Sequence, residues 1–212
     1  MIGSTARNDS RLGAVSSLAS VIIPVKPGAS AKSRLGGDAA RRAALADAIA
    51  LDTVTAARAG REVGEVIVVG GLAQSVAGVR VIDDPGRGLH AAVVAGLAAT
   101  ACSGPTAVLL GDLPALQSSE LDSALAAAAR HEHAFVPDAE GTGTTLIVAR
   151  PGARHFPCFG AGSAARHRAA GYVQLEMPYL SGLRRDVDTR EQLSAAASLA
   201  VGERTRALLA DG

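Results

Sequence analysis

The sequence predicts an α/β protein: a mostly parallel central sheet with helices on both faces and a mixed edge. Two observations carry this expectation. Up to residue 130, short and nearly continuous Val/Ile/Leu runs alternate with longer Ala-rich runs, as expected of strands buried on both faces and joined by crossover helices. Beyond residue 130, strand-like runs follow one another with less helix between them, as when antiparallel partners extend a parallel sheet. A chain of 212 residues suits one sizeable domain.

That domain is expected over residues 19–212. Residues 1–18 read as a disordered lead-in, rich in Ser, Arg and Asn and without the apolar run of a signal peptide. The first strand is ASVIIPV, Ala19 to Val25, and the long helix from Asp38 to Ala59 follows, with Asp38 as its N-cap. EVIVVG (Glu65 to Gly70) and VRVID (Val79 to Asp83) are the next strands, then a helix from Leu89 to Thr100. TAVLLGD (Thr106 to Asp112) is a fourth strand, followed by a helix from Ser118 to Arg130 capped by Ser118 or Ser119. The mixed edge is built from HAFVP (His133 to Pro137), TTLIVAR (Thr144 to Arg150), YVQLEM (Tyr172 to Met177) and LRRDVD (Leu183 to Asp188). Two helices, Arg190 to Leu199 and Glu203 to Ala210, end the chain.

Composition removes several classes of function. Twenty-one basic and 20 acidic residues nearly cancel, so there is no general attraction for nucleic acid or for a membrane surface. No apolar run approaches the roughly 20 residues of a membrane span, and a cytoplasmic protein is expected. Cys102 and Cys158 lie far apart without ligand-like spacing and read as small buried thiols. The five histidines have no spacing that suggests zinc or a nucleophile. With only three Phe and two Tyr, the core must be packed from aliphatic side chains.

Ligands of open α/β sheets gather at the carboxyl ends of the strands, and the chemically distinctive residues fall there. The first strand leads into PVKPGASAKSRL, which groups Lys26, Lys32 and Arg34 with Gly28, Ser30 and Ser33. Such a loop suits a polyphosphate or is simply a solvated basic turn. After the third strand, GRGLHA (Gly86 to Ala91) matches the GxGxxA form of a dinucleotide fingerprint. Asp83, Asp84 and Pro85 intervene where that fingerprint would begin at once, and a helix-start turn is the competing interpretation.

The fourth strand ends in a carboxylate, Asp112, followed two residues later by Pro114. A bare carboxylate is too costly to bury, so Asp112 either caps its turn or belongs to a charged site. Asp186 and Asp188 stand two apart at the end of LRRDVD, a spacing that puts both on one face of a strand. Three converging carboxylates require a cation, and magnesium, a hard ion that takes carboxylate and phosphate oxygens, fits them. Two further loops, EGTGTT and FGAGSAARH, offer Thr142, Thr144, Gly160, Gly162 and Ser163, with Ser163 opening a short helix. They suit a phosphate or carboxylate, with Arg166, His167 and Arg168 as supplementary groups.

Taken together, VIIPVKPGASAKSRL, LLGDLPAL, GTGTTL, FGAGSAARHRAAG and GLRRDVDTREQL resemble the guanylyltransferases of coenzyme F420 biosynthesis. That family comprises 2-phospho-L-lactate guanylyltransferase and its actinobacterial relative acting on phosphoenolpyruvate, and the resemblance spans about residues 20 to 200. It implies a Rossmann-like nucleotidyltransferase fold of the MobA-like or GT-A kind and transfer of GMP from GTP to phosphoenolpyruvate, with 2-phospho-L-lactate the alternative acceptor. It also implies Mg2+ held by Asp112, Asp186 and Asp188, and acceptor binding by Thr144, Gly160 and Ser163. Lys26, Lys32 and Arg34 would bind the GTP phosphates, with Gly88 near the nucleoside; Asp112 and Lys26 would be catalytic. The product would pass to the next enzyme of the F420 pathway. The family carries an asparagine after its Gly-Leu pair, where this chain has His90.

Two other readings compete. A nucleotidyltransferase acting on a molybdopterin cofactor or a sugar phosphate would favour paired glycines in the first loop, which has one before Lys32. A NAD-type dinucleotide-binding module would centre on Gly86 to Ala91.

Overall fold

A computed structural model describes residues 18–26, 35, 38–101 and 103–210. The lead-in to residue 17, Cys102 and most of the basic loop, with Gly28, Ser30, Lys32, Ser33 and Arg34, lie outside the described residues.

Seven strands form one sheet in the order β3-β2-β1-β4-β6-β5-β7. They are β1 (Ala19–Val25), β2 (Val63–Gly70), β3 (Val79–Ile82), β4 (Thr106–Leu109), β5 (His133–Pro137), β6 (Thr144–Ala149) and β7 (Val173–Gln174). β1 runs parallel to both β2 and β4, and β2 parallel to β3. β6 enters antiparallel to β4 and β5, while β7 pairs parallel with β5. The parallel half and mixed edge therefore follow the sequence expectation.

The helices are α1 (Ala39–Arg58), α2 (Leu89–Ala98), α3 (Ser118–Ala128), α4 (Ser163–Ala169), α5 (Arg190–Ala197) and α6 (Glu203–Ala210). One sheet face packs Val21, Ile23, Leu109 and Leu146 against Val54 of α1 and Leu121 of α3. The other packs Ile22, Val108 and Ile147 against Val93 of α2 and Ala164 of α4. Alternate residues of one strand thus enter opposite cores, and each fully buried aliphatic chain contributes about 1.5–3 kcal/mol. Asp38 caps α1 as expected, accepting from Arg41 N at 2.8 Å. The cap of α3 falls on Gln117 rather than on Ser118 or Ser119, because the Glu120 carboxylate reaches back to Gln117 N at 3.0 Å. Helices α5 and α6 fold back over α1, where the buried Asp52 carboxylate accepts from Thr205 N at 2.8 Å.

Two expected strands differ. Tyr172 to Met177 contributes only β7, because Tyr172 turns into the core and its hydroxyl takes the Phe156 N–H. Leu183 to Asp188 is no strand: a 3₁₀ turn spans Gly182–Arg184 and the rest is irregular. Side chains replace a ladder there. Glu120 accepts from Gly182 N at 2.9 Å, and the Arg184 guanidinium donates to Asp138 O at 2.8 Å. Gly182 is required by contact, since a Cβ would stand 1.9 Å from the Ala115 carbonyl oxygen.

The topology concentrates loops at one edge. β1 and β4 end there, antiparallel β6 begins there with Thr144, and β5 returns there before Asp138.

Candidate active site

A cleft of about 490 Å³ opens at this edge, lined by residues from the ends of β1, β4, β5 and β6 and from the turn before α4. Lys26, Asp112, Asp186, Asp188, Thr144, Gly160 and Ser163 all line it. Gly88 does not: it is the N-cap of α2, with φ +84°, while neighbouring Asp84, Leu89 and Ala92 reach the wall. The Gly86 to Ala91 turn follows β3, the edge strand, whereas a dinucleotide fingerprint follows the first, central strand. The geometry therefore gives the NAD-type reading no support.

Asp112 leaves the sheet beyond Gly111, and its carbonyl accepts from Val187 N at 3.0 Å. Val187 is fully buried against Leu45, Ile49 and Ala115. This bond and the buried valine position the flanking aspartates, doing what the expected strand would have done. One carboxylate oxygen from each of Asp112, Asp186 and Asp188 lies within 4.8 Å of the others. Oxygens bound to one magnesium ion at about 2.1 Å lie at most about 4.2 Å apart, so small side-chain rotations suffice to bring the three onto one ion. The hard, anionic donor set fits a divalent cation.

Electrostatics agree. Burial first, then the nearby Asp112, Asp138 and Asp188, push the Asp186 carboxyl up to about 7. A bound cation reverses that cost by neutralising the cluster.

Asp138 is a site residue that sequence reasoning missed. It follows β5 and accepts from Thr142 N at 2.9 Å and Gly143 N at 2.7 Å. A Cβ on Gly143 would stand 2.2 Å from that carboxylate, so the second glycine of EGTGTT is fixed by this contact. Asp138, Glu140 and Asp186 form a second acidic group that shares Asp186 with the first. The available signal was VPDAEG, another strand closed by a proline and followed by a carboxylate.

The opposite wall is joined to this loop by Ala164 N donating to Thr142 O at 3.1 Å. Ser163 is 1% exposed, and its Oγ has no hydrogen-bond partner among the described residues although it lines the cleft. Arg166, His167 and Arg168 do not supplement this wall directly. Arg166 braces the loop, donating to the carbonyls of Cys158, Phe159 and Ala161. Arg168 pairs with Gln174 and lies over the Phe135 ring at 5.5 Å. His167 is completely buried and bonds to Thr144. Cys158 is only partly buried, with its thiol donating to Phe156 O at 3.4 Å.

A Rossmann-like sheet with a carboxylate cluster and hydroxyl-lined wall at one strand end suits a nucleotidyltransferase. Residues 28–176 match the MobA-like NTP transferase domain. The chain is 46% identical to the phosphoenolpyruvate guanylyltransferase of Streptomyces coelicolor, over 90% of this chain and 95% of that one. It is 47% identical to that of Thermomonospora curvata, over 90% and 88% respectively. The chain belongs to the MobA-like NTP transferase family and, within it, to the phosphoenolpyruvate guanylyltransferases.

Solved structures share the fold at lower identity. Rv0371c of Mycobacterium tuberculosis, in its complex with manganese, is 18% identical, covers 85% of this chain and 99% of its own, and has a TM-score of 0.55. The 2-C-methyl-D-erythritol 4-phosphate cytidylyltransferase of Thermus thermophilus is 19% identical, with 85% and 98% covered and a TM-score of 0.54. Among the described residues no helix is long and apolar enough to cross a membrane.

Proposed function

We propose that this enzyme transfers GMP from GTP to phosphoenolpyruvate with Mg2+, releasing pyrophosphate and forming enolpyruvyl-2-diphospho-5′-guanosine. The observation that carries the reading is the single cleft shared by the three-aspartate cluster and the Thr144, Gly160 and Ser163 wall. Relatives bearing that activity in their names match nearly the whole chain.

An acceptor phosphate oxygen attacks the α-phosphorus of GTP, the bond to the bridging oxygen breaks, and pyrophosphate leaves. The acceptor phosphate is ionised near neutral pH, so no general base is required. The difficulty is bringing two polyanions together in line. Asp112, Asp186 and Asp188 would hold Mg2+, which when bound supplies charge neutralisation to the reacting phosphates. Lys26, at the end of β1, adds positive charge on the nucleotide side, and Lys32 and Arg34, which follow in the sequence outside the described residues, would add to it. Gly88 would lie beside the nucleoside. Thr144, Gly160 and Ser163 hold the acceptor, and the buried Ser163 hydroxyl gains there the partner it lacks among the described residues.

One domain over residues 19–212 carries both subsites. Both substrates are phosphorylated and do not cross a bilayer unaided, which supports a cytoplasmic reaction. The product serves the next enzyme of coenzyme F420 assembly.

Incubation with GTP, Mg2+ and either phosphoenolpyruvate or 2-phospho-L-lactate, followed by pyrophosphate assay, tests the reading. Release with phosphoenolpyruvate in excess of release with phospholactate is expected. Preference for phospholactate reassigns the acceptor, and no release with either overturns the proposal.

A further inference from the structure

His167 lies on α4, and its ring is closed off from solvent by Phe135, Phe159 and Tyr172, with centroids 5.9, 5.4 and 5.2 Å away. Its two nitrogens have different partners. Nε2 accepts the backbone N–H of Cys158 at 2.9 Å, and a nitrogen that accepts carries no proton. The ring proton therefore sits on Nδ1, which stands 2.9 Å from Thr144 Oγ1. An N–H can only donate, so the threonine oxygen is the acceptor of this bond. Burial, reinforced by Arg166 and opposed by the Ser163 backbone, holds the ring down at about 4 and hence neutral near pH 7.

The consequence falls on the Thr144 hydroxyl. Its oxygen is occupied by His167, its proton has no acceptor among the described residues, and its residue lines the cleft. The backbone aims it there. In the pairing of β5 with β6, Val136 faces Leu146 and Pro137 faces Thr144, so Thr145 is the extra residue of a bulge. Plain alternation from Leu146 would turn Thr144 toward the α1 and α3 face; the bulge turns it to the α4 side instead.

We propose that His167 is a positioning residue for the acceptor: it holds the Thr144 oxygen so that the hydroxyl proton is presented to an anionic oxygen of the bound substrate. With Ser163 Oγ also buried, without a partner among the described residues and on the same wall, the acceptor side becomes a pair of fixed hydroxyl donors. This rests on the acceptor assignment made above. It adds a residue that never touches substrate, and it explains why a completely buried histidine stands behind that wall.

The test combines kinetics with a direct view of the ring. Thr144→Val removes the donor, and His167→Gln removes the Nδ1 proton while leaving an amide near the Nε2 position. Each is expected to raise KM for phosphoenolpyruvate about ten- to hundredfold, the worth of a hydrogen bond to a charged group, with KM for GTP unchanged. His167→Asn, whose amide nitrogen replaces Nδ1, should restore KM, and the double variant His167→Gln/Thr144→Val should be no worse than Thr144→Val alone. A His167→Gln variant that raises both KM values equally, or a double variant showing the product of the single effects, overturns the proposal. Nitrogen NMR of the wild-type imidazole should show a neutral ring protonated at Nδ1 near pH 7; protonation at Nε2 overturns the arrangement without any variant. Should the wild type transfer to neither acceptor, the acceptor reading fails by itself, while the nitrogen shifts still decide the His167–Thr144 arrangement.

Discussion

Cation binding by the aspartate cluster should compete with one proton near neutrality. Asp186 is held up at about 7 by burial and by its carboxylate neighbours, against an ordinary value of 3.8. A raised acid stabilises the metal-free fold fully below the unfolded value and loses that stability as pH rises through the folded value. The linkage amounts to at most about 4 kcal/mol between pH 4 and 7. A divalent cation held by the cluster would bind its ionised form and restore what is lost. With one competing proton of pKa about 7, the ionised fraction is about one tenth near pH 6 and about nine tenths near pH 8. Apparent affinity should then be about tenfold higher near pH 8 than near pH 6, with close to one proton released per ion near pH 6. Calorimetric titration of the nucleotide-free protein with Mn2+ or Mg2+, in buffers of differing ionisation enthalpy, measures both quantities. Equal affinity at the two pH values, with no proton release, would refute the reasoning.

Three further outcomes are expected. Asp112→Asn should retain the fold, read by circular dichroism, yet lose about 10²-fold or more in kcat by analogy with loss of other charge-stabilising groups; near wild-type turnover would return Asp112 to capping its turn. Gly182→Ala forces a Cβ to 1.9 Å from the Ala115 carbonyl oxygen, so thermal denaturation should show a loss of about 1–3 kcal/mol together with weaker cation binding; an unchanged melting temperature contradicts the contact argument. His155 is held at about 4, chiefly by burial, so its neutral form stabilises the fold above about 6.5, and this is lost as pH falls toward 4. The stability difference between wild type and His155→Gln should therefore shift by about 3 kcal/mol across that interval in urea titrations, and a constant difference would show that His155 does not titrate in this way.

How much of this was legible in the sequence depended on whether the determinant was local. The strands β1 and β4 were legible because each is a near-continuous aliphatic run, and Asp112 because Gly111 and Pro114 bracket it at the point where such a run stops. Asp186 and Asp188 were legible as a pair, but the reason for their convergence was not. It lies in the Val187 bond to the Asp112 carbonyl and in Gly182 packed on Ala115, contacts between segments some 70 residues apart in sequence. The same segment was misjudged as a strand because its apolar residues, Leu183 and Val187, are buried by packing rather than by ladder pairing. Arg166 looked like an anion ligand because nothing local reveals that its donors are engaged by carbonyls of the preceding loop. His167 was opaque for the same reason, its partners Thr144 and Cys158 being supplied by a bulged strand and by that same irregular loop before α4.

The central claim, that one cleft holds the cation and the acceptor on facing walls, is tested most directly by crystallography with Mn2+ and phosphoenolpyruvate and location of the metal by anomalous scattering. The account predicts a manganese peak bound by Asp112, Asp186 and Asp188, with phosphoenolpyruvate against Thr144 and Ser163. A peak away from those carboxylates, or phosphoenolpyruvate bound outside the cleft, would contradict it.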